Sequence, residues 1–298
     1  MYSSLTREQF DILTLFVETK ATVTEQQIEA STGYEAALID KAVCELSSLQ
    51  YISGGKITAL GLAALEPYRV KRAIFIAAGF GSRLVPITLN TPKPLVRVHG
   101  ERIIDSLIDA CLEAGIEEIY IVRGYLSEQF DQLLYKYPMI QFLENPAYKE
   151  ANNISSALVA RYKLANAYVF EADLLLSNPK IIKKYHYNSN FLAIKKKHTD
   201  DWCFEVQDGV IIKEKVGGDN CWQMVGISYW NYEDGQRLTQ DIADVYALHN
   251  GKESYWEQVP LVYAKEHYVV GVRECFDEDI LEIDTFDELK DIDKNYII

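Results

Sequence analysis

The stretch RAIFIAAGFGSRLVPITLNTPKPLV, Arg72 to Val96, sets the reading of the chain. It opens with an apolar, β-prone run, AIFIA, and turns at Gly79 and Gly81. A glycine turn after a strand can bring backbone N–H groups close to anionic oxygens. This one fails the two commonest nucleotide fingerprints. A dinucleotide loop starting at Gly79 needs glycine where Leu84 stands, and a P-loop needs Gly-Lys at Leu84 and Val85. What the turn carries instead is Arg83, whose planar fork of donors suits a polyphosphate. Lys93, between Pro92 and Pro94 in what reads as a stiff extended segment, brings a second positive charge from another direction. Two cations converging on one glycine loop suit a triphosphate.

Outward from this turn, short apolar strands alternate with helical stretches. AIFIA is followed by a helix in RIIDSLIDACLEAG, a strand in EIYIV, a helix in SEQFDQLLYKY, a strand in IQFLE, a helix in ISSALVARYKLA and a strand in AYVFEA. That alternation predicts βαβ units and an α/β fold with a Rossmann-like, mixed and mostly parallel sheet. Beyond residue 190 four more strands are read in FLAIKK, WCFEV, VIIKE and WQMVGISYW. Two helical stretches, a strand in YVVGV and a last helix in DELKDIDK complete the chain.

In the other direction, EPYRVKRA marks a join, and the chain divides into domains at 1–68 and 69–298. TREQFDILTLFVE, VTEQQIEAST with Thr24 as N-cap, and YEAALIDKAVCELSSLQ read as amphipathic helices; YISGGKITALG reads as a hairpin around Gly54-Gly55. Helix, helix, helix, hairpin resembles the winged helix-turn-helix domain of bacterial regulators. Its charge argues against DNA. Residues 1–66 hold Arg7, Lys20, Lys41 and Lys56 against nine acidic side chains, and the third helix sets Glu35, Asp40 and Glu45 against Lys41 alone. Phosphates would be repelled by that face, so a protein contact or dimerisation, such as a homodimer, is the favoured role.

Composition narrows the class further. The 298 residues carry a net charge of −14, which disfavours a general nucleic-acid binder. No apolar run approaches the roughly 20 residues that span a bilayer, and the start lacks a signal-peptide pattern, so a cytoplasmic protein without membrane insertion is expected. Cys44, Cys111, Cys203, Cys221 and Cys275 are scattered, with no C-x-x-C pair, and read as plain thiols.

AAGFGSRLVPITLNTPKPLV fills every fixed position of G-x-G-x-R-x-x-P-x-T-x-x-x-P-K, and so resembles the signature of the nucleotidylyltransferases that make activated sugars and alcohols. The resemblance implies catalytic roles for Arg83 and Lys93 and nucleotide contacts at Ala77, Ala78, Gly79, Gly81 and Ser82. It also implies Mg²⁺ held by Asp173, at the end of the strand in YVFEAD, and by Glu282 and Asp284 in LEIDTF. Carboxylates suit a hard cation that bridges phosphate oxygens. Asp284 has a second reading, as the cap of the helix in TFDELKDI. In the implied reaction a phosphate oxygen of the acceptor attacks the α-phosphorus of the nucleotide. No general base is needed, because a phosphate monoester is already ionised at neutral pH.

Over residues 72 to 295 the chain is similar to the bacterial CTP:phosphocholine cytidylyltransferases, on IVRGYLSEQFDQL, NNISSALV, VFEADLLL, VGISYW, SYWEQV and LEIDTFDEL. That similarity implies transfer of CMP from CTP to phosphocholine, giving CDP-choline and pyrophosphate. Asn152 and Asn153, in EANNISS, become candidates for nucleotide contacts, with a helix N-cap as the ordinary alternative. A quaternary ammonium cannot donate hydrogen bonds, so its site needs aromatic faces and carboxylates. Trp202, Tyr255 and Trp256 match aromatic positions of the choline enzymes and are the expected cage. Trp222 and Trp230 alternate with apolar residues along a strand and read as core. Asp200, Asp201 or Glu257 could add charge. The alternatives are another acceptor (phosphoethanolamine, a polyol phosphate or a sugar 1-phosphate) and, from a different class, a transcriptional regulator that senses CTP or CDP-choline.

Overall fold

The computed structural model describes residues 4–19 and 22–296. Lys20, counted above among the basic residues of the first domain, lies outside the described residues. The chain forms two compact units, one of Met1–Arg69 with Tyr185–Tyr187, the other of Val70–Lys184 with Asn188–Ile298.

In the first unit α1 (Arg7–Thr19), α2 (Glu25–Thr32) and α3 (Ala36–Ser48) precede a hairpin of β1 (Ile52–Ser53) and β2 (Lys56–Ile57). Thr24 caps α2 in a reciprocal box with Gln27. Gly54 and Gly55 both have positive φ, 58° and 71°, as a two-residue hairpin loop requires. α4 (Ala59–Leu65) follows where the sequence reading stopped at the hairpin. Seven residues are too few to show a helical period, and the Thr58 hydroxyl, which accepts from the Gly61 N–H, starts it. On α3, Ile39, Ala42 and Leu46 face inward, Asp40 and the N-cap Glu35 are exposed, and Glu45 accepts from the Gln9 amide. Tyr187 stacks on Tyr68 with ring centroids 5.5 Å apart, which accounts for Tyr185–Tyr187 joining this unit.

The second unit is built on β3 (Arg72–Ile76). A small hairpin of β4 (Arg97–Val98) and β5 (Glu101–Arg102) leads into α5 (Ile103–Glu113), β6 (Glu118–Arg123), β7 (Gln141–Glu144), α6 (Ile154–Ala160), β8 (Ala167–Glu171) and β9 (Leu174–Leu176). β10 (Asn190–Gln207) and β11 (Val210–Trp230) are long strands followed by α7 (Tyr232–Ala247), β12 (Gly271–Cys275), β13 (Ile280–Glu282) and α8 (Phe286–Ile292). The four strands expected after residue 190 are thus two, which pair as one antiparallel hairpin. Polar stretches such as KKHTDD look like breaks in sequence, but they are the mostly exposed parts of continuous strands. The stretch SEQFDQLLYKY is tighter than an α-helix, forming 3-10 turns over Ser127–Tyr135.

The main sheet has the order β10-β12-β11-β8-β3-β6-β7. β8, β3, β6 and β7 run parallel, and β11 joins β8 antiparallel, so the sheet is mixed with a parallel centre. Strict alternation sends neighbouring residues into separate cores on its two faces. Ala73, Phe75, Ile119, Ile121, Tyr168 and Phe170 enter one, under α5; Ile74, Tyr120, Val122, Ala167 and Val169 enter the other, under α6 and α7. Phe75 and Phe170 stack across β3 and β8 at 4.8 Å. Because β6 and β8 flank β3 on opposite sides, the order in which strands are added reverses there, and a crevice opens at the carboxyl ends of β3 and β8. No helix among the described residues is long and apolar enough to cross a membrane.

Candidate active site

The loop leaving β3 is shaped by its own sequence. Gly81 has φ 68°, and a Cβ there would come within 3.1 Å of Lys93 Cβ and 3.3 Å of Thr88 Cγ2, so both conformation and packing require glycine. The fully buried Thr88 hydroxyl donates to the Gly81 carbonyl at 2.9 Å. Leu84 is also fully buried, among Val96, Val98, Ile103, Ile283 and Leu289, and anchors the loop where a dinucleotide site would have glycine. Gly79 differs: a Cβ there would meet open space. Nothing in the protein's packing calls for glycine at 79, which lines the crevice.

Lys93 is only 7% exposed. It begins a 3-10 turn, Lys93–Leu95, and does not lie in the extended segment expected for it; Pro94 pre-sets φ for the first turn of such a helix. Its Nζ donates to Asp173 Oδ2 at 2.8 Å and to Asp284 Oδ1 at 2.9 Å. Burial opposes the ammonium charge, but the two carboxylates outweigh burial and raise its pKa above the ordinary lysine value. Arg83, 65% exposed at its side chain, donates to Asp284 Oδ2 at 2.5 Å. Asp284 therefore faces the two cations and does not cap α8. The cap is Thr285, in a box with Glu288.

Asp173 follows β8 by two residues, and its Oδ1 is buried with no hydrogen-bond partner. Ligand oxygens of Glu171, Asp173 and Glu282 lie within 4.8 Å of one another. Burial pushes Glu282 up to about 8, with Asp173 and Asp284 adding repulsion. Burial, then Glu257, Asp173 and Glu282, pushes Glu171 well above the carboxylate range. A cluster of hard oxygen donors that repel one another, one of them an orphaned buried oxygen, fits a divalent cation. Glu171 was missed in the sequence, although its signal was present: it is an acidic residue ending the same apolar strand two residues before Asp173.

One cavity of about 580 Å³ joins these groups to a second set. Its lining includes Ala78, Gly79, Arg83, Asn152, Asn153, Asp173, Trp202, Tyr255, Glu282 and Asp284 from the sequence reading, and Asp201 and Glu257 from the charges left open there. Ala77, Gly81, Ser82 and Lys93 line an adjoining recess of about 250 Å³ together with Gly79, Arg83, Asp173 and Asp284. The Trp202 and Tyr255 rings are 5.4 Å apart and tilted by 62°. Asp201 Oδ1 accepts from the Trp202 N–H at 2.7 Å. Asp200 is not in the lining; its carboxylate pairs with His198 at 3.3 Å on the surface.

Trp256 stands apart from the cage expected for it. It is 2% exposed and packs in the core against Phe191 and Trp230, at 6.4 and 5.9 Å. Residues 255–258 form a turn, with the Gln258 N–H on the Tyr255 carbonyl at 3.1 Å, and within it Tyr255 and Glu257 reach the cavity while Trp256 packs inward. Trp230 is core, as expected, and Trp222 is partly buried against the same core.

Glu214, Asn145, Ser155 and Ser156 also line the cavity and were not read from sequence. Asn145 Nδ2 donates to both serine hydroxyls, at 2.9 and 3.0 Å. Burial pushes Glu214 up to about 7, and its Oε2 is buried without a partner. Glu257, 2% exposed, is pushed by burial up to about 7 even though the Asn153 amide donates to it. Glu214 lies in no motif that marks it, and Glu257, one of the charges left open in the sequence, acquires its setting from Asn153 and Glu171, far along the chain.

The nucleotidyl transferase family profile matches residues 72–207. The 2-aminoethylphosphonate cytidylyltransferase of Lancefieldella rimae is 36% identical over 229 residues, covering 76% of this chain and 93% of the relative. The choline-phosphate cytidylyltransferase of Streptococcus pneumoniae is 32% identical over 229 residues, covering 75% and 97%. A solved structure of the Streptococcus pneumoniae CTP:phosphocholine cytidylyltransferase superposes with a TM-score of 0.69 at 29% identity, over 77% of this chain and 100% of that one. With the glycine loop, the carboxylate cluster and the parallel sheet centre in place, this chain belongs to the nucleotidyl transferase family, in the branch that contains these bacterial cytidylyltransferases.

Proposed function

We propose that the protein transfers CMP from CTP to phosphocholine, giving CDP-choline and pyrophosphate. The observation that carries this reading is the tilted Trp202–Tyr255 pair, open to the same cavity as the glycine loop and the carboxylate cluster. Two aromatic faces near carboxylates can hold a quaternary ammonium without hydrogen bonds. A phosphate oxygen of the acceptor attacks the α-phosphorus. The bond to the oxygen bridging the α- and β-phosphorus breaks, and its electron pair leaves with pyrophosphate.

The protein's part is alignment and charge neutralisation. Backbone groups at Ala77, Ala78, Gly79, Gly81 and Ser82 approach the triphosphate, and Arg83 and Lys93 neutralise it as charge moves to the leaving group. The residues that would hold Mg²⁺ are Asp173, Glu282 and Asp284, with Glu171 beside them and Lys93 bridging the two aspartates; when bound, the ion supplies further neutralisation of phosphate charge.

A second reading has a specific observation behind it. Glu214 Oε2 is buried and partnerless, and a primary ammonium could donate to it where a trimethylammonium cannot. That favours an acceptor such as 2-aminoethylphosphonate, the substrate named for the relative at 36% identity. Pyrophosphate release with CTP and, in turn, phosphocholine, phosphoethanolamine, 2-aminoethylphosphonate and a sugar 1-phosphate decides between them. A higher kcat/KM for 2-aminoethylphosphonate than for phosphocholine would replace the first reading by the second.

Residues 1–68 are assigned as a winged-helix-like domain that makes a protein contact, a homodimer included, and 69–298 as the transferase domain of a cytoplasmic enzyme. The exposed Asp40 of α3 and its exposed N-cap Glu35 support a protein partner over DNA. Sedimentation of the full chain tests the dimer. Tight binding to one DNA site without turnover would instead favour the nucleotide-sensing regulator.

A further inference from the structure

We infer that Asn153 is a positioning residue for the acceptor side of the cavity, and not a nucleotide contact. The inference rests on the transfer reaction proposed above. Both ends of its side-chain amide are directed at one distant segment. Asn153 Oδ1 accepts the backbone N–H of Trp256 at 2.8 Å, and Nδ2 donates to Glu257 Oε2 at 3.2 Å. Asn152 does the same one step earlier. Its backbone N–H donates to the Lys252 carbonyl at 2.8 Å and its Nδ2 to the Glu253 carbonyl at 3.2 Å, while its Oδ1 accepts the Asn153 N–H at 2.7 Å. Neither side chain caps the helix that follows: Asn153 sits at the N-cap of α6 without a capping hydrogen bond.

The Asn-Asn pair therefore fastens the loop before α6 to residues 252–257. The consequence falls on three consecutive residues. Holding the Trp256 N–H fixes the backbone at the point where Trp256 enters the core and Tyr255 and Glu257 turn to the cavity. Tyr255 is 42% exposed and meets Trp202, so the placement of its ring depends on its backbone more than on packing around it. The Asn153 amide also holds the Glu257 carboxyl group at the cavity wall. The glycine loop has separate supports, Thr88 and the buried Leu84, and is not touched by this fastening.

The test is steady-state kinetics of Asn153→Ala with CTP and either phosphocholine or 2-aminoethylphosphonate, whichever the wild type uses better. Expected is a rise of about tenfold in acceptor KM, on the scale of one buried hydrogen bond lost, with the KM for CTP within about twofold. A raised KM for CTP with the acceptor KM unchanged would overturn the inference. Combining Asn153→Ala with Glu257→Gln guards against a merely unstable variant, because two residues acting as one unit are not additive. A joint effect well below the product of the single effects supports the inference, and a joint effect equal to the product counts against it. If the wild type turns over neither acceptor, the acceptor reading fails by itself. Direct titration of both proteins with CTP then decides the point for Asn153: equal affinity supports it and weakened affinity refutes it.

Discussion

Lys93 Nζ donates to Asp173 Oδ2 at 2.8 Å, joining residues 80 apart in sequence across the carboxyl ends of β3 and β8. The same nitrogen reaches Asp284, so one buried cation links the glycine loop, the end of a central strand and the segment before the last helix. This makes Lys93 the group on which several parts of the site converge.

Lys93→Ala is expected to lower kcat/KM by about 10² to 10³, the scale of losing one preorganised electrostatic partner of a developing charge. It also leaves two carboxylates facing each other, so the Tm should fall as well. Stopped-time assays of pyrophosphate release, run beside thermal melts, separate the two effects. A variant with an unchanged Tm and unchanged kcat/KM would remove Lys93 from the mechanism.

Asp173→Asn should abolish turnover, and the loss should persist at any Mg²⁺ concentration, because the carboxylate with the orphaned Oδ1 is the donor being removed. In the wild type, chelation should stop the reaction and added Mg²⁺ restore it. Full activity of the wild type in excess chelator would contradict a metal role for the cluster of Glu171, Asp173 and Glu282.

Trp202→Ala should raise the acceptor KM by about 3- to 30-fold, the range of one cation–π contact, while changing the CTP value little. Trp256→Phe should behave differently: Trp256 lies in the core, so its effect should appear in the Tm and not in acceptor selectivity. Equal losses for CTP and acceptor in Trp202→Ala would speak against the aromatic pair as the acceptor's contact.

For Glu214 the sign follows from its raised value of about 7. Below the ordinary carboxylate pKa the folded and unfolded chains both hold the proton. As pH rises from about 4.5 to 7 the unfolded chain releases it first, so stability is lost over that window. Thermal melts of wild type and Glu214→Gln across pH 4 to 8 should therefore diverge, the variant losing less with rising pH. Parallel curves would show that Glu214 does not titrate there.

Much of the fold is local and could be read from the chain. The period-2 pattern of AIFIA and AYVFEA marks strands whose alternate residues enter two cores, and Thr24 starts a helix in a box with a residue three positions on. The spacing G-x-G-x-R and P-K likewise carried Arg83 and Lys93 to one crevice, although the segment holding Lys93 is a 3-10 turn and not the extended one its prolines suggested. Asp173 and Asp284 were legible as residues at strand ends.

Tertiary structure decided what depends on neighbours far along the chain. Whether Asp284 caps a helix or meets Lys93 was an open choice in sequence, and the convergence of β8 and β13 resolved it. Glu171, Glu214 and Glu257 became unusual only through burial beside one another, and desolvation and mutual repulsion leave no mark on a residue's immediate sequence. Trp256 and Tyr255 are adjacent and chemically alike, yet one is core and the other faces the cavity. That division is set by which side of the backbone meets Phe191 and Trp230, and only the packed structure supplies it.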